Sequence, residues 1–349
     1  MSLAFRRGFS VRKPIVVLLF AATSLFVTPG AIMAAAGGSA AASDQALIIE
    51  RTIPLENVTG RIDHLAIDLA GQRLFVAELG NDSVDVVDLR AGKVVGRLGD
   101  LKEPQGIAYI AGQDMLVVAN GGDGSVRFYR AADLSFLGSI ALGDDADNLR
   151  IDPVTGHLLV GYGNGGLAIL DPVTRSKLGD VGLVGHPESF QLDPKTGRVF
   201  VNVPDAQQIA VADLKSGGQE AAWEAPGLAA NFPMALDDTG GRLAVVYRKP
   251  ARLVLLSTTT GAVTQSLDTC GDADDVFFDH KRDRIYVSCG DGTIDVVQRG
   301  REGIRKAARV ATSSGARTSL FVAGLDRLYV AARGEAPGGA AILVFRPSP

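Results

Sequence analysis

Residues 103–143 read EPQGIAYIAGQDMLVVANGGDGSVRFYRAADLSFLGSIALG, and their punctuation is that of one antiparallel meander. A polar lead-in is followed by an apolar strand, a Gly-containing turn, a second strand (MLVVA), a tight GGDG turn, a third strand (SVRFY) and a fourth (FLGSIAL). The apolar runs are short, β-rich and bounded by Gly, Asp and Asn, whereas a helical repeat of this length needs 3.6-residue periodicity. Units of the same plan recur along the chain. Aligned on their second strands they carry LFVA at 74–77, LVVA at 116–119, LLVG at 158–161, VFVN at 199–202, LAVV at 243–246, IYVS at 285–288 and LYVA at 328–331, a spacing of 41 to 44 residues. A lone meander cannot cover both of its faces and must stack on its neighbours. The pattern therefore predicts an all-β fold, a seven-bladed β-propeller of four-stranded antiparallel blades.

The two ends of the chain fit one another. Residues 47–55, LIIERTIPL, sit in the register of an outer fourth strand, while the last unit stops at 342–345 in the register of a third. The N-terminal strand is thus expected to complete blade seven and close the ring, which removes an open edge. Residues 47–349 then form a single propeller domain, preceded by a Gly/Ser/Ala leader over 37–46. Before the leader, Arg6, Arg7, Arg12 and Lys13 precede an apolar run at 15–27 and the small residues Ala34, Ala35 and Ala36. This is the pattern of a cleavable signal peptide over residues 1–36, with an apolar core short for a membrane span. Arg6-Arg7-Gly8-Phe9 also resembles the start of a twin-arginine signal. The expected protein is periplasmic or secreted, monomeric, and without a transmembrane anchor after processing.

The chain of 349 residues, 46% apolar, can bury a large core. Its net charge is −4, and removing residues 1–36 takes away four positive charges and no negative ones, leaving the mature chain near −8. Lys and Arg are scattered, with no basic stripe, so no nucleic-acid partner is expected. There are two cysteines, Cys270 and Cys289. They lie in the lead-in to blade six and at the end of its second strand, so the hairpin between them brings both to the same end of the blade, and export permits a disulfide.

Turn chemistry supports the strand assignments. Asp152-Pro153-Val154-Thr155-Gly156, Asp193-Pro194-Lys195-Thr196-Gly197 and Asp237-Asp238-Thr239-Gly240-Gly241 place Asp to accept from the following backbone and Gly to take positive φ. Gly80-Asn81-Asp82, Gly121-Gly122-Asp123-Gly124 and Gly290-Asp291-Gly292 read as plain hairpin turns. The units RLFVAELGNDSVDVVDLRAGKVVG (73–96), MLVVANGGDGSVRFY (115–129) and RIYVSCGDGTIDVV (284–297) resemble the YVTN repeats of exported, YncE-like seven-bladed propellers. The resemblance spans nearly all of the mature chain and implies the fold; the family includes proteins discussed as binding modules. Blades four and five depart from the repeat at Asn202-Val203-Pro204-Asp205 and Tyr247-Arg248-Lys249-Pro250, the loops most open to specialisation.

Because innermost strands line a central channel, equivalent lead-in positions converge on one mouth. Five residues before each turn Asp, or its equivalent, stand Asp63, Gln105, Asp147, Glu188, Phe232, Asp274 and Arg317; one residue later stand His64, Gly106, Asn148, Ser189, Pro233, Asp275 and Thr318. His186 and Asn231 add nitrogen and oxygen ligands, and Glu78, Asn120, Tyr162, Asn202, Tyr247 and Arg333, ending second strands, are expected to edge the same mouth. Four carboxylates in one column repel unless a cation, a basic ligand or Arg317 offsets them. The ligand-binding set is accordingly Asp63, His64, Gln105, Asp147, Asn148, His186, Glu188, Asn231, Asp274, Asp275 and Arg317. Asp63, Asp147, Glu188 and Asp274 are candidate metal ligands for Ca²⁺ or Mg²⁺, and His64 and His186 are candidate catalytic groups. The competing reading gives these groups to blade backbones and channel water.

These residues suit a binding module for a small molecule, a metal ion or a partner protein. The alternative is a divalent-metal-dependent hydrolase or lyase of lactonase type at the same site. A quinone-cofactor dehydrogenase is disfavoured by a single tryptophan, Trp223. No Gly-x-Ser-x-Gly elbow, phosphate loop, dinucleotide fingerprint, CxxC or HxxxH spacing is present.

Overall fold

The computed structural model describes residues 45–237, 239–335 and 338–349; the expected signal peptide and nearly all of the leader lie outside them. Seven four-stranded antiparallel sheets follow one another and form the blades of a β-propeller. Blades one to six are simple meanders over residues 65–98, 104–141, 146–182, 190–224, 229–268 and 273–311. Blade seven takes Ser319–Val322, Arg327–Ala332 and Ala341–Pro347 from the end of the chain and its outermost strand, Leu47–Pro54, from the beginning. That closing pair runs antiparallel from Leu47 opposite Pro347 to Pro54 opposite Ala341. Ala46, assigned by sequence to the leader, is buried, and its carbonyl accepts from the Ser348 N–H. No helix among the described residues is long and apolar enough to cross a membrane.

Second strands carry near-continuous apolar runs because blades cover them on both sides. The outer strand Lys93–Leu98 instead alternates exposed and half-buried residues. Buried side chains gather into seven clusters among the described residues, each drawing on two adjacent blades. Phe75, Val84 and Val86 of blade one pack with Leu116, Val118 and Tyr129 of blade two. Ile53 and Ile342 of blade seven pack with Leu65 and Leu74 of blade one. The core is therefore a ring of interblade layers, and the axis is left as a channel.

The turns at the far end of the innermost strands behave as their residues require. Asp152 accepts from Val154 N and Asp193 from Lys195 N, both at 2.9 Å, while Gly156 and Gly197 take φ of 76° and 75°. At the near end the innermost strands of blades one to six open with two residues opposing one. In blade three Ala146 pairs with Tyr162 and Leu149 with Val160, so Asp147 and Asn148 share the single partner Gly161. The register breaks likewise at Gln105-Gly106, Phe232-Pro233 and Asp274. In blade one Asp63 N donates to Ala77 O and Ala77 N to His64 O; in blade four Glu188 N donates to Asn202 O and Asn202 N to Ser189 O. Such a bulge re-aims the side chains it carries.

Candidate functional site at the channel mouth

The first residue of each bulge, with Arg317 at the equivalent position of blade seven, forms a ring. Gln105, Asp147, Glu188, Phe232, Asp274 and Arg317 line one cavity of about 360 Å³, and Asp63 completes the ring, buried and held by Arg61 at 2.6 Å. The residue that follows in each blade turns away from it. His64, Ser189 and Asp275 line the channel beneath, and Asn148 and Thr318 are buried. At Gly106 a Cβ would stand 2.0 Å from the Asp147 carbonyl oxygen, so the close approach of blades two and three requires glycine there.

Two positions before the ring lies a second tier: Arg61, Glu103, Asp145, His186, Ala230, Asp272 and Gly315. Arg61, Glu103, Asp145 and His186 line the mouth. Glu103, Asp145, Ala230, Asp272 and Gly315 have left-handed φ of 50°, 33°, 59°, 57° and 79°. The N–H groups of Gly80, Gly121, Gly163 and Gly290 fix this tier by donating to the carbonyls of Arg61, Glu103, Asp145 and Asp272 at 2.8–3.1 Å. These second-to-third-strand turns, expected to be hairpin turns and nothing more, also hold the mouth in place. Blade four has Pro204 at this point and lacks the N–H. Blade five has Arg248 there, and its side chain enters the mouth.

The charges are segregated. On one arc the Arg248 guanidinium lies 3.7 Å from the Phe232 ring centroid, donates to Ala273 O at 2.8 Å and pairs with Asp274. Arg317 lies 2.8 Å from both Asp272 and Asp274. On the other arc Asp145, Asp147 and Glu188 surround His186. His186 Nδ1 donates to the Gly163 carbonyl at 2.6 Å, which turns Nε2 toward Asp147 Oδ2 at 3.8 Å. The Asp147 carboxylate, with the Gly163 carbonyl, pushes the ring's pKa up to about 9. Burial, reinforced by Asp147, pushes the Glu188 carboxyl up to about 8. At neutral pH the acidic arc therefore holds a protonated acid beside an imidazolium. Below the ring His64 Nε2 stands 3.8 Å from Asp63 Oδ1 and 4.0 Å from Asp147 Oδ1.

The structure thus gathers Asp63, Gln105, Asp147, His186, Glu188, Asp274 and Arg317, and places His64 and Asp275 in the channel instead. Asn231 is not in the mouth; its Nδ2 donates to Asn202 Oδ1 and Gln208 O, both at 2.9 Å, as a clasp between blades four and five. Most of the second-strand ends are also elsewhere. Glu78, Asn120, Asn202 and Tyr247 are buried, and the Tyr162 hydroxyl donates to Asp180 on an outer strand. A second strand is sandwiched between blades to its last residue, so its end belongs to the core. Arg333 alone comes near Arg61 and Arg317. Arg61 and Arg248 were missed by the column alignment, although the loop bearing Arg248 stood out by its departure from the repeat.

The four candidate metal-binding carboxylates do not fit a compact Ca²⁺ or Mg²⁺ site. Among the described residues no three of them bring oxygens within reach of one ion; Arg61 holds Asp63, and two arginines hold Asp274. Cys270 and Cys289 are joined as a disulfide with Cα atoms 5.9 Å apart, which ties the loop bearing Asp272 and Asp274 to the second strand of blade six.

No family model and no curated protein sequence matches the chain. Solved structures do. A chain of the Kuenenia stuttgartiensis hydrazine synthase is similar over 81% of this chain and 94% of its own, at 16% identity and a TM-score of 0.71. A chain from a mitotic checkpoint complex is similar over 95% of this chain and 98% of its own, at 14% identity and a TM-score of 0.74. Likeness at these identities is a likeness of fold, and a fold shared by such different proteins leaves function to the site.

Proposed function

We propose that this chain is an exported β-propeller binding module that captures a small organic cation, an amine or guanidine, at the mouth of its channel. The carrying observation is the charge balance of the mouth, in which Arg61, Arg248 and Arg317 are each engaged by an acid while Asp145, Asp147 and Glu188 share His186 alone and present oxygens to an open cavity. An ammonium group can take hydrogen bonds from oxygens spread about it, whereas a divalent ion needs them converged. The cavity volume lies within the range of small-molecule sites, about 300–1,000 Å³. Export is supported by the charge, apolar run and small residues of 1–36 and by the resemblance to YVTN-repeat propellers; the mature N-terminus is expected within residues 34–44 by mass spectrometry.

Titration calorimetry with small amines, guanidines, Ca²⁺, Mg²⁺ and neutral isosteres tests the binding reading. Asp145→Asn with Asp147→Asn should weaken the cationic ligand at least tenfold, and equal affinity for the neutral isostere would reject the proposal. A second reading, a hydrolase or lyase, is favoured by one feature: the Glu188 carboxyl, raised to about 8 and within electrostatic reach of the His186 imidazolium, is a proton donor poised near neutral pH. Turnover of an ester or lactone that Glu188→Gln abolishes would select it.

A further inference from the structure

Below the mouth the channel widens into a second cavity of about 490 Å³, reaching from His64 and Ser189 to His280 and Ala323 at the opposite end. The two cavities share no lining residue. Its wall is mixed, with Met234, Phe277, Phe278 and Phe321 beside Ser189, Gln191, Asp275 and Ser319. Into this wall projects Arg150. The guanidinium Nη1 donates to the adjacent Leu149 carbonyl at 2.8 Å, and the group lies 5.7 Å from the Phe190 ring centroid. Among the described residues it makes no ion pair, unlike Arg61, Arg248 and Arg317 of the mouth.

We propose that this channel is a separate site for a small carboxylate with an apolar body, the carboxylate paired with Arg150 and the body laid along the channel wall. Arg150 is half-buried; a guanidinium keeps its charge in any protein environment, so one partly withdrawn from water with no acid in contact gains from an anion that reaches it. The acid that faces it, Asp275, spends Oδ2 on the Ser319 N–H at 2.6 Å. Burial raises the Asp275 pKa well above its ordinary value, and its carboxylate makes no ion pair with Arg150, whose guanidinium fork keeps donors for another acid. Arginine's planar fork matches a carboxylate in two parallel hydrogen bonds. The volume, and a lining in which apolar side chains adjoin this guanidinium, suit an amphipathic acid.

Calorimetry on the purified protein with octanoate, 1-octanol, octanamide and acetate tests this. Octanoate should bind at least tenfold more tightly than each of the other three. Arg150→Gln should remove that advantage, Arg150→Lys should keep part of it, and Asp145→Asn, in the mouth, should leave octanoate affinity within twofold. Equal binding of octanol or octanamide would show that the charge is not read, and equal binding of acetate that the wall contributes nothing. Either result, or an Arg150→Gln variant that binds octanoate as before, overturns the proposal. Should Arg150→Gln fail to fold by circular dichroism, the comparison of the four ligands on the unsubstituted protein decides.

Discussion

Glu188 is the residue through which pH acts on the mouth. Its carboxyl is raised from an ordinary 4.5 to about 8 by burial first and Asp147 second, so the folded chain keeps a proton that the unfolded chain gives up near pH 4.5. Stability tied to that proton is complete below pH 4.5 and is lost as pH rises through 8; His186, raised from 6.5 to about 9, acts in the same direction over the higher part of the range. Glu188→Gln should therefore flatten the fall in denaturant midpoint between pH 5 and 8 and gain roughly 1–2 kcal/mol at pH 9. Affinity for a cationic ligand should rise with pH across the same interval as Glu188 ionises, and a pH-independent affinity would remove Glu188 from the site. Gly106→Ala should cost about 2–4 kcal/mol, because the atom it meets at 2.0 Å is a backbone oxygen with nowhere to move. The ring from Asp63 to Arg317 was legible in the sequence because all seven repeats align. The tier two residues earlier was equally present in that alignment: Arg61, Glu103, Asp145 and Asp272 stand where His186 was noticed. What hid Glu103, Asp145 and Asp272 is a left-handed turn that sequence does not advertise at a non-glycine residue.

The strands were readable from their apolar runs and turn residues, but the bulge that opens the innermost strands of blades one to six was not. Nothing in Asp147-Asn148 or Glu188-Ser189 distinguishes two residues opposing one from ordinary pairing, yet this sends Asp147 to the mouth and buries Asn148. The same blindness placed Asn120, Asn202 and Tyr247 at the mouth, where an extended count of residues would put them and interblade packing does not. In blade six the disulfide constrains the corresponding lead-in, because Cys289 pairs opposite Ala273 while Cys270 anchors the segment leading to Asp272 and Asp274. Replacing both cysteines by alanine should cost about 3 kcal/mol on the chain-entropy account of a loop this size. It should also weaken mouth ligands severalfold by freeing the acids that hold Arg248 and Arg317. Chemical denaturation with and without reductant, beside calorimetry of the double variant, measures both; an unchanged affinity would show that the loop needs no tether.

At the scale of the whole molecule the seven interblade layers make stability a property of ring closure, since each layer survives only if both of its blades stay in place. The layer between blades seven and one contains Ile53, 1% exposed, from the closing strand Leu47–Pro54. Ile53→Ala removes buried methyl groups from that layer and should cost about 2–5 kcal/mol. Glu50, on the same strand, pairs at the surface with Arg327 and Arg346, so Glu50→Gln should cost under about 1 kcal/mol. The single tryptophan makes closure testable at a distance, because Trp223 stacks with Phe200 in blade four, 5.3 Å between ring centroids, across the ring from blade seven. If the propeller unfolds as one unit, Trp223 fluorescence and far-ultraviolet circular dichroism should give coincident transitions, and Ile53→Ala should move both by the same amount. A circular-dichroism transition that shifts while the Trp223 transition stays fixed would mean that blades four and five stand without the closure, and the ring would then be a chain of separately stable units that happens to meet at its ends.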